Sequence, residues 1–319
     1  MTVSDRLRTL VSPIGVGRIG ISGLTMAALT LAAMPMAMAA YGKAEDYQLG
    51  FQDPVTDNAR YIGIFNTYLT IGAAAITLFV MALLLYVIVK FNAKANPTPA
   101  HFHHNTTLEV LWTVIPIAIL VVISVPSFRL LYAQYAFPKP DVTIKAIGNQ
   151  WYWSYEYIDA KGVAYDSYML KDDETAALRA KNVDAPRLLA VDNEVVVPVN
   201  KVVHVLITAK DVIHNWNIPS FGIKTDGVPG RVTANWFKAD RVGIYYGVCS
   251  ELCGAQHAYM PIAVRVVSEE AYKAWLEIRK TGGKGVDDKA RAVIQAWLPD
   301  PKATSSVASL GTAATPQTP

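Results

Sequence analysis

One segment in the last third of the chain carries the strongest signal for the fold, and it reads Cys249-Ser250-Glu251-Leu252-Cys253-Gly254-Ala255-Gln256-His257-Ala258-Tyr259-Met260. Within it, Cys253, His257 and Met260 follow the order Cys-x3-His-x2-Met. In blue-copper sites a thiolate and imidazoles bind the metal strongly, and a methionine thioether binds it weakly from the axial side. The segment therefore predicts a copper-binding loop.

A second imidazole and a second thiolate extend this site. His214, which lies 35 residues before Cys249 at the end of a predicted strand, supplies the imidazole. Two thiolates four positions apart can bridge two metal ions, so that each ion has two sulfurs and one imidazole. The two weaker positions then go to Met260 and to a backbone carbonyl, for which Glu251 is best placed. Such a site spreads one electron over two metals and favours fast one-electron transfer.

Other interpretations of these residues remain open. Cys249 and Cys253 could form a disulfide, because the exported side of a membrane is oxidising. Zinc could bind a Cys2His2 set, but it would give Met260 no role. His214 on its own would more often be a packed or solvated histidine. His204, in the middle of a predicted strand, is predicted to be structural.

Short β-branched segments surround the copper-type loop, at residues 142–147, 195–199, 202–208 and 262–267. Each is bounded by Gly, Pro, Asn or Asp, which predicts a β-sandwich or a Greek-key barrel. The charged stretch 171–182 predicts a helix or a loop. Residues 268–280 and 287–298 predict helices, the first with Ser268 as its N-cap.

Two long apolar runs precede the β segments. The first contains 29 residues without a formal charge between Arg60 and Lys90, and the second contains 19 between Glu109 and Arg129. About 20 apolar residues are enough to cross a bilayer. We therefore predict a transmembrane helical hairpin over residues 61–132, with a connecting loop at about 90–107.

The N-terminus resembles an export signal. Three arginines precede an apolar run that ends in Ala37-Met38-Ala39, and this pattern predicts a cleaved signal peptide over residues 1–39. A first membrane helix is the alternative. Lys90 and Lys94 in the hairpin loop place that loop in the cytoplasm.

This topology divides the rest of the chain. Residues 40–60 are predicted to form a periplasmic N-terminal segment, and residues 133–280 a periplasmic β domain. Residues 281–319 are predicted to form a C-terminal helix and a disordered tail. The chain is thus predicted to lie in a bacterial inner membrane as a multi-pass protein.

Composition excludes several classes of protein. The 319 residues are 52% hydrophobic and only 17% charged, which argues against a purely soluble enzyme and against disorder. The formal charge is +3 and forms no basic stripe, so we predict no nucleic-acid partner. Two cysteines are too few for a disulfide-dense scaffold.

Three further stretches accompany the copper-type loop, at residues 111–116, 150–157 and 224–231. The order of hairpin, aromatic stretch, histidine and cysteine loop resembles subunit II of cytochrome c oxidase, over roughly residues 51–280. The resemblance implies a cupredoxin-like Greek-key barrel on a two-helix anchor. It also implies a dinuclear copper centre, CuA, held by the residues His214, Cys249, Cys253, His257 and Met260 and by the main-chain carbonyl of Glu251.

The resemblance assigns further roles. The carboxylate of Glu251 would reach a magnesium ion shared with subunit I. Trp151 matches the tryptophan through which electrons enter, although core packing is the commoner fate of such a residue. Glu109 matches the glutamate at the mouth of a proton-uptake channel, or it is an interfacial charge. His101, His103 and His104 in the same loop are interpreted as an interfacial or proton-buffering cluster.

The implied function is electron transfer within aerobic respiration. The chain would accept electrons one at a time from cytochrome c and pass them to the haem–copper core of subunit I, where oxygen is reduced and protons are pumped. Its partners would be subunit I, other oxidase subunits, cytochrome c and the membrane. Candidates for steering a basic cytochrome are the acidic residues Glu156, Asp159, Asp166, Asp192 and Asp211.

Two other functions compete with this one. A quinol-oxidase-type subunit would be a structural anchor without copper, and the intact ligand set argues against it. A membrane-tethered electron carrier or copper-delivery protein would work without an oxidase core, and it would leave Glu109 and the magnesium-type Glu251 without a purpose.

Overall fold

The structure is a computed structural model that describes residues 42–98, 101–180, 183 and 185–296. The predicted signal peptide and the predicted tail lie outside the described residues, as do the last two residues of the predicted helix 287–298. Within the described part, two long helices come first and a β domain follows.

The two helices form the predicted hairpin and are longer than the sequence pattern indicates. Helix α1 runs over Asp57–Lys90 and helix α2 over Thr106–Tyr135. Both are long and apolar enough to cross a membrane, and none of the residues in their most apolar windows is buried inside the chain. Helix α1 begins before residue 61 because the Thr56 side chain caps it, accepting a hydrogen bond from Ala59 N.

Ten strands build the β domain: β1 Val142–Asn149, β2 Tyr152–Tyr157, β3 Ala164–Ser167, β4 Val195–Pro198, β5 Val203–Ala209, β6 His214–Ile218, β7 Ile223–Gly227, β8 Thr233–Phe237, β9 Gly243–Cys249 and β10 Pro261–Val267. They form two five-stranded sheets, in the orders β3-β2-β1-β5-β8 and β4-β10-β9-β6-β7. The pairs β1–β5 and β4–β10 are parallel, and the other pairs are antiparallel. The curled, mainly antiparallel sheets agree with the predicted cupredoxin-like class.

The core of the β domain follows from the sequence periodicity. Along β5 the side chains of Val203, Val205 and Ile207 are buried, while those between them are partly exposed. This alternation is expected for a strand with one face on the core. Large aromatic side chains complete the same core, including Trp153 and Trp216, which are both essentially inaccessible.

Three more helices belong to the β domain: α3 Asp172–Ala180, α4 Glu269–Thr281 and α5 Val286–Ala296. Trp275 of α4, and Ala290 and Ile294 of α5, are buried in the same core cluster as the strands. The C-terminal helix is therefore an integral part of the domain, in contrast to the predicted division at residue 280. The apolar face of α5 has to be covered, and the barrel covers it.

The arginine of α4 ties the two C-terminal helices to the sheet. The Arg279 guanidinium forms an ion pair with Asp287 and donates a 3.0 Å hydrogen bond to Asn193 Oδ1. It also lies 4.2 Å from the ring centroid of Tyr165, in cation–π geometry. The side chain is buried, so these partners compensate its charge.

A short segment before α1 fixes the first membrane helix to the β domain. Val55 is completely buried in the core, and Thr56 Oγ1 donates a 2.8 Å hydrogen bond to the carbonyl of Phe221. One turn later, Arg60 forms a 2.7 Å ion pair with Asp240. We call this set of contacts the helix clamp. It joins the start of α1 to the barrel by buried packing and by a charge-assisted hydrogen bond.

Candidate metal centre

The fold brings together residues that are far apart in sequence. His214 opens β6, and Cys249 ends the neighbouring strand β9, where Trp216 is its cross-strand partner. The loop from residue 250 to residue 260 connects β9 to β10 and carries the remaining predicted ligands. A short 3-10 helix at His257–Tyr259 turns this loop back toward the strand ends.

Cys249 and its neighbours form one half of the cluster. The Cys249 sulfur lies 3.9 Å from Nδ1 of His214 and 3.4 Å from the carbonyl oxygen of Glu251. One thiol, one imidazole nitrogen and one weak oxygen donor thus meet at the same point.

Cys253 and its neighbours form the other half. The Cys253 sulfur lies 3.4 Å from Nδ1 of His257 and 3.5 Å from the thioether sulfur of Met260. The two cysteine sulfurs are 3.9 Å apart and both are free thiols, whereas a disulfide bond is about 2.05 Å long. Each half therefore has a thiol, an imidazole and one weak donor, and the two thiols face each other.

The donor set fits copper. The ligand atoms of His214, Cys249 and Cys253 all lie within 4.8 Å of one another, and all three residues are buried. Thiolate, thioether and imidazole ligands are those that copper prefers, and a site open to hard oxygen ligands would favour other metals. Met260 is also buried, so four of the donors are shielded from water.

A glycine in β1 makes room for the first imidazole. A Cβ atom on Gly148 would lie 2.6 Å from the His214 ring, closer than real contacts allow. Strand β1 therefore packs its bare backbone against the histidine, which holds the ring in place from one side.

An aspartate holds the other nitrogen of this ring. Asp211 Oδ1 lies 2.8 Å from Nε2 of His214. An ionised carboxylate only accepts hydrogen bonds, so Nε2 donates and Nδ1 is left to face Cys249. The sequence argument considered Asp211 only as a docking charge. Its position three residues before the histidine was the available signal for this contact.

The ionisation of these groups reflects their contacts. Burial alone would lower the pKa of His214, but its contacts with Cys249 and Asp211 raise it. Burial opposes the charge of Cys249, yet the contact with His214 lowers the pKa of this thiol below its ordinary value. Burial raises the pKa of Cys253, and the charge of Cys249 adds to the rise. One thiol thus ionises readily, and a metal has to displace the proton of the second.

Comparisons with known proteins match both parts of the chain. Residues 142–267 match the family described as cytochrome c oxidase subunit II, periplasmic domain, and residues 44–130 match its transmembrane domain. The chain belongs to the cytochrome c oxidase subunit II family.

Two relatives agree with this assignment, and one solved structure is also similar to part of the chain. A "Probable cytochrome c oxidase subunit 2" of Rickettsia bellii (strain RML369-C) is 46% identical over 247 residues, which are 77% of this chain and 90% of that protein. The cytochrome c oxidase subunit 2 of Cereibacter sphaeroides is 45% identical over 253 residues, which are 76% of this chain and 83% of that protein. A crystal structure of the periplasmic domain of subunit II (CoxB) of Bradyrhizobium japonicum is 51% identical, with a TM-score of 0.41, and covers 45% of this chain and 96% of that one.

Family membership confirms the predicted function in outline. The chain is a subunit of cytochrome c oxidase, a haem–copper oxidoreductase, and it acts in respiratory electron transfer. It is a membrane protein with a periplasmic domain, and the family implies CuA copper. In the described residues, the buried cluster of His214, Cys249 and Cys253 could hold a metal ion.

Trp151 lies beside the cysteine loop of this family member. Its indole Nε1 donates a 3.3 Å hydrogen bond to the carbonyl oxygen of Cys253. The side chain is partly buried and packs against the core cluster. The residue packs on the core and also touches a predicted ligand, and its role in electron entry stays a prediction.

Glu109 lies at the far end of α2 from the β domain. The other end of this helix is bound to the barrel, where Trp236 Nε1 donates to the carbonyl of Gln134. Glu109 is roughly 40 Å away along the helix. There its Oε1 accepts a 3.2 Å hydrogen bond from Asn105 N and helps to cap the helix. It takes no part in the metal cluster.

The remaining histidines also lie apart from the cluster. His101, His103 and His104 are exposed in the loop between the helices. His204 Nε2 lies 2.7 Å from the carbonyl oxygen of Pro138, and its ring meets Phe137 edge-on. These contacts agree with the predicted structural role of His204.

All five acidic residues considered for docking already have partners within the chain. The carboxylates of Asp159, Asp192 and Asp211 accept backbone hydrogen bonds. The Asp166 carboxylate accepts a hydrogen bond from the side-chain hydroxyl of Ser154, and Glu156 forms an ion pair with Lys145. Each of these contacts stabilises the local fold, and a role of the five charges in steering a basic cytochrome stays a prediction.

Proposed function

We propose that this cluster holds CuA and that the chain uses it to accept electrons singly from cytochrome c and to pass them to the haem–copper core of subunit I. The observation that supports this most directly is the paired arrangement of donors. Each cysteine sulfur has its own imidazole and its own weak donor, and the two sulfurs lie 3.9 Å apart. When bound, two coppers share one electron, so the centre changes charge with little movement of its ligands.

The protein residues would divide this task. The thiolates of Cys249 and Cys253 and the imidazoles of His214 and His257 would hold the copper. The Met260 thioether and the Glu251 carbonyl would supply weaker donors. Burial excludes water from the sulfurs, which keeps the donor set soft and its geometry fixed.

Electrons would reach the centre through Trp151. Its indole is partly exposed on one side and hydrogen-bonded to the Cys253 carbonyl on the other. A π system in this position connects the protein surface with a copper ligand through one hydrogen bond. Cytochrome c would therefore dock over Trp151.

Glu251 would serve a second metal. Its carbonyl oxygen faces Cys249, while the residue as a whole is exposed. Carboxylate oxygens suit magnesium, which usually keeps several waters and is bound by one or two carboxylates. The Glu251 carboxylate would hold a magnesium ion shared with subunit I, while its carbonyl would serve the copper.

The membrane part would serve proton uptake and assembly. After cleavage of the signal peptide at residues 1–39, the hairpin lies in the bacterial inner membrane with Lys90 and Lys94 on the cytoplasmic side. Glu109 then lies at the cytoplasmic surface, where a proton channel of the translocating oxidase would begin. The exposed apolar faces of α1 and α2 contact lipid, subunit I and other oxidase subunits.

Copper content and EPR spectroscopy test the central claim. The full chain is purified in detergent without subunit I, its thiols are kept reduced, and it is loaded with copper. We expect about two coppers per chain and an EPR signal in which one spin is shared by two nuclei. One copper, or none, would contradict the proposal. About one zinc retained per chain in place of copper, with no EPR signal, would identify the alternative Cys2His2 site.

A further inference from the structure

In the folded chain, the turn between β1 and β2 contacts both segments that carry the predicted ligands: the segment before His214 and the loop that holds Cys253. The backbone N–H of Gln150 in this turn donates a 2.7 Å hydrogen bond to Asp211 Oδ2. The other oxygen of Asp211 is the one bound to His214. Through a single carboxylate, the turn is thus connected to the imidazole of the first half of the cluster.

The side chain of Gln150 reaches the second half. Its Nε2 donates a 2.8 Å hydrogen bond to the carbonyl oxygen of Cys253, 103 residues away in the sequence. The indole of Trp151 donates to the same oxygen at 3.3 Å. A carbonyl oxygen has two lone pairs, so these two donors use its full capacity.

The cysteine loop is shaped to receive this turn. Gly254 has φ +125°, a conformation that side chains with a Cβ rarely adopt. A Cβ atom there would lie 2.9 Å from the Trp151 ring and 3.2 Å from Gln150 Nε2. The absence of a side chain at this position lets the turn approach the Cys253 carbonyl.

We propose that Gln150 is a positioning residue that holds Trp151 against the metal-binding loop. Its backbone and side chain span the His214 side and the Cys253 side of the cluster, and Trp151 is the next residue. The tryptophan, the imidazole and the thiol are thereby held as one unit. This inference rests on the proposed function of Trp151, because it concerns the seating of the residue through which electrons enter.

The test compares three variants of the chain within the assembled oxidase. Gln150→Leu keeps the size of the side chain and removes the donor, and Gln150→Glu places a negative charge against the Cys253 carbonyl. Gln256→Leu is the matched control, because Gln256 lines the same surface pocket as Trp151. In the described part of the chain, the hydrogen bonds to the Cys253 carbonyl come from Gln150 and Trp151 and not from Gln256. The readouts are copper content, the EPR signal, the rate of copper-centre reduction by cytochrome c, and hydrogen exchange of residues 148–153.

We expect both Gln150 variants to keep their copper and their EPR signal. The reduction rate falls by about fivefold, the factor that corresponds to the loss of one hydrogen bond, and exchange in the turn becomes faster. Gln256→Leu behaves as the wild type. Exchange is also measured in the metal-free chain, since these contacts are formed without metal.

Three outcomes would overturn the proposal. An unchanged reduction rate in the Gln150 variants would show that the seating of Trp151 does not depend on this side chain. Loss of copper from Gln150→Leu would place its role in the metal site itself. An equal loss of rate in Gln256→Leu would attribute the effect to the docking surface. Failure of the wild-type chain to bind copper would instead contradict the proposed function, and exchange in the metal-free chain would still decide whether Gln150 holds the turn.

Discussion

Nε2 of His214 lies 2.8 Å from Oδ1 of Asp211, and this contact decides which ring nitrogen is presented to the cysteines. A histidine that binds a metal usually donates its other N–H to a carboxylate or carbonyl, which fixes both its tautomer and its orientation. Here the same carboxylate also accepts the backbone N–H of Gln150. Each oxygen of the Asp211 carboxylate therefore accepts a hydrogen bond, one from His214 and the other from Gln150.

Asp211→Asn should weaken copper binding. An asparagine has an acceptor oxygen at only one of the two carboxylate positions and an NH2 donor at the other, so either His214 or Gln150 loses its acceptor. We expect copper affinity to fall by about 10- to 100-fold, measured by competition with a chelator of known affinity. Asp159→Asn is the control, because Asp159 also accepts a backbone hydrogen bond and takes no part in the cluster. Equal affinity in the two variants would show that Asp211 does not support the metal site.

Cys253→Ser should abolish the dinuclear centre. The Cys253 sulfur lies between Cys249, His257 and Met260, and a serine hydroxyl cannot replace a bridging thiolate. We expect at most about one copper per chain and no shared-spin EPR signal. Ser250→Ala, in the same loop, should retain about two coppers per chain and the shared-spin EPR signal. A shared-spin signal in Cys253→Ser would show that this sulfur is not a bridge.

Met260→Leu should retain copper and raise the midpoint potential of the centre. The substitution preserves volume at a buried site, so it costs less than about 1.5 kcal/mol of stability. Loss of the thioether donor destabilises the oxidised form, and we expect a rise on the order of 50 mV, equivalent to about 1.2 kcal/mol for one electron. A redox titration measures it. Complete loss of copper, or an unchanged potential, would contradict a weak axial role.

Glu109→Gln separates the two roles of this side chain. Glutamine keeps an acceptor for Asn105 N, so the start of α2 is preserved, but it cannot exchange a proton. If Glu109 lies at a proton channel, oxidase turnover should fall at least about twofold while the EPR signal of copper is unchanged. Turnover equal to that of the wild type would make Glu109 a helix-capping residue only.

Arg279→Leu should destabilise the β domain. The guanidinium is buried and contacts Asp287, Asn193 and Tyr165, but Asp287 is half exposed, so the loss is smaller than for a fully buried pair. We expect a loss of about 2 kcal/mol in the free energy of unfolding, measured by denaturant titration. Lys273→Leu, which breaks only an exposed pair with Glu269, should leave the unfolding midpoint unchanged. Equal midpoints in the two variants would contradict a stabilising role for Arg279.

The sequence predicted the parts of the site that depend on local spacing. Cys253, His257 and Met260 lie in one loop, and their order indicates a copper site before any fold is known. The membrane hairpin could also be predicted from the sequence, because the length of an uninterrupted apolar run is a property of the chain itself.

The features of the site and of the fold that the sequence did not predict depend on contacts between distant segments. Gln150 meets the Cys253 carbonyl only because the β1–β2 turn and the β9–β10 loop meet in space, and nothing in the local sequence of either segment indicates this. The start of α1 depends on a cap at Thr56, and the burial of α5 depends on the shape of the barrel. Charge alone assigned Asp211 to docking, whereas its geometry assigns it to His214.

The helix clamp has a mechanical consequence. Val55 is enclosed by the barrel and Arg60 forms an ion pair with Asp240. In the described residues, α1 therefore joins the β domain without a flexible linker. The donor cluster accordingly stands at a set height above the bilayer. The distance over which electrons have to tunnel would then be fixed when the polypeptide folds. It would not vary through motion of the β domain relative to the membrane.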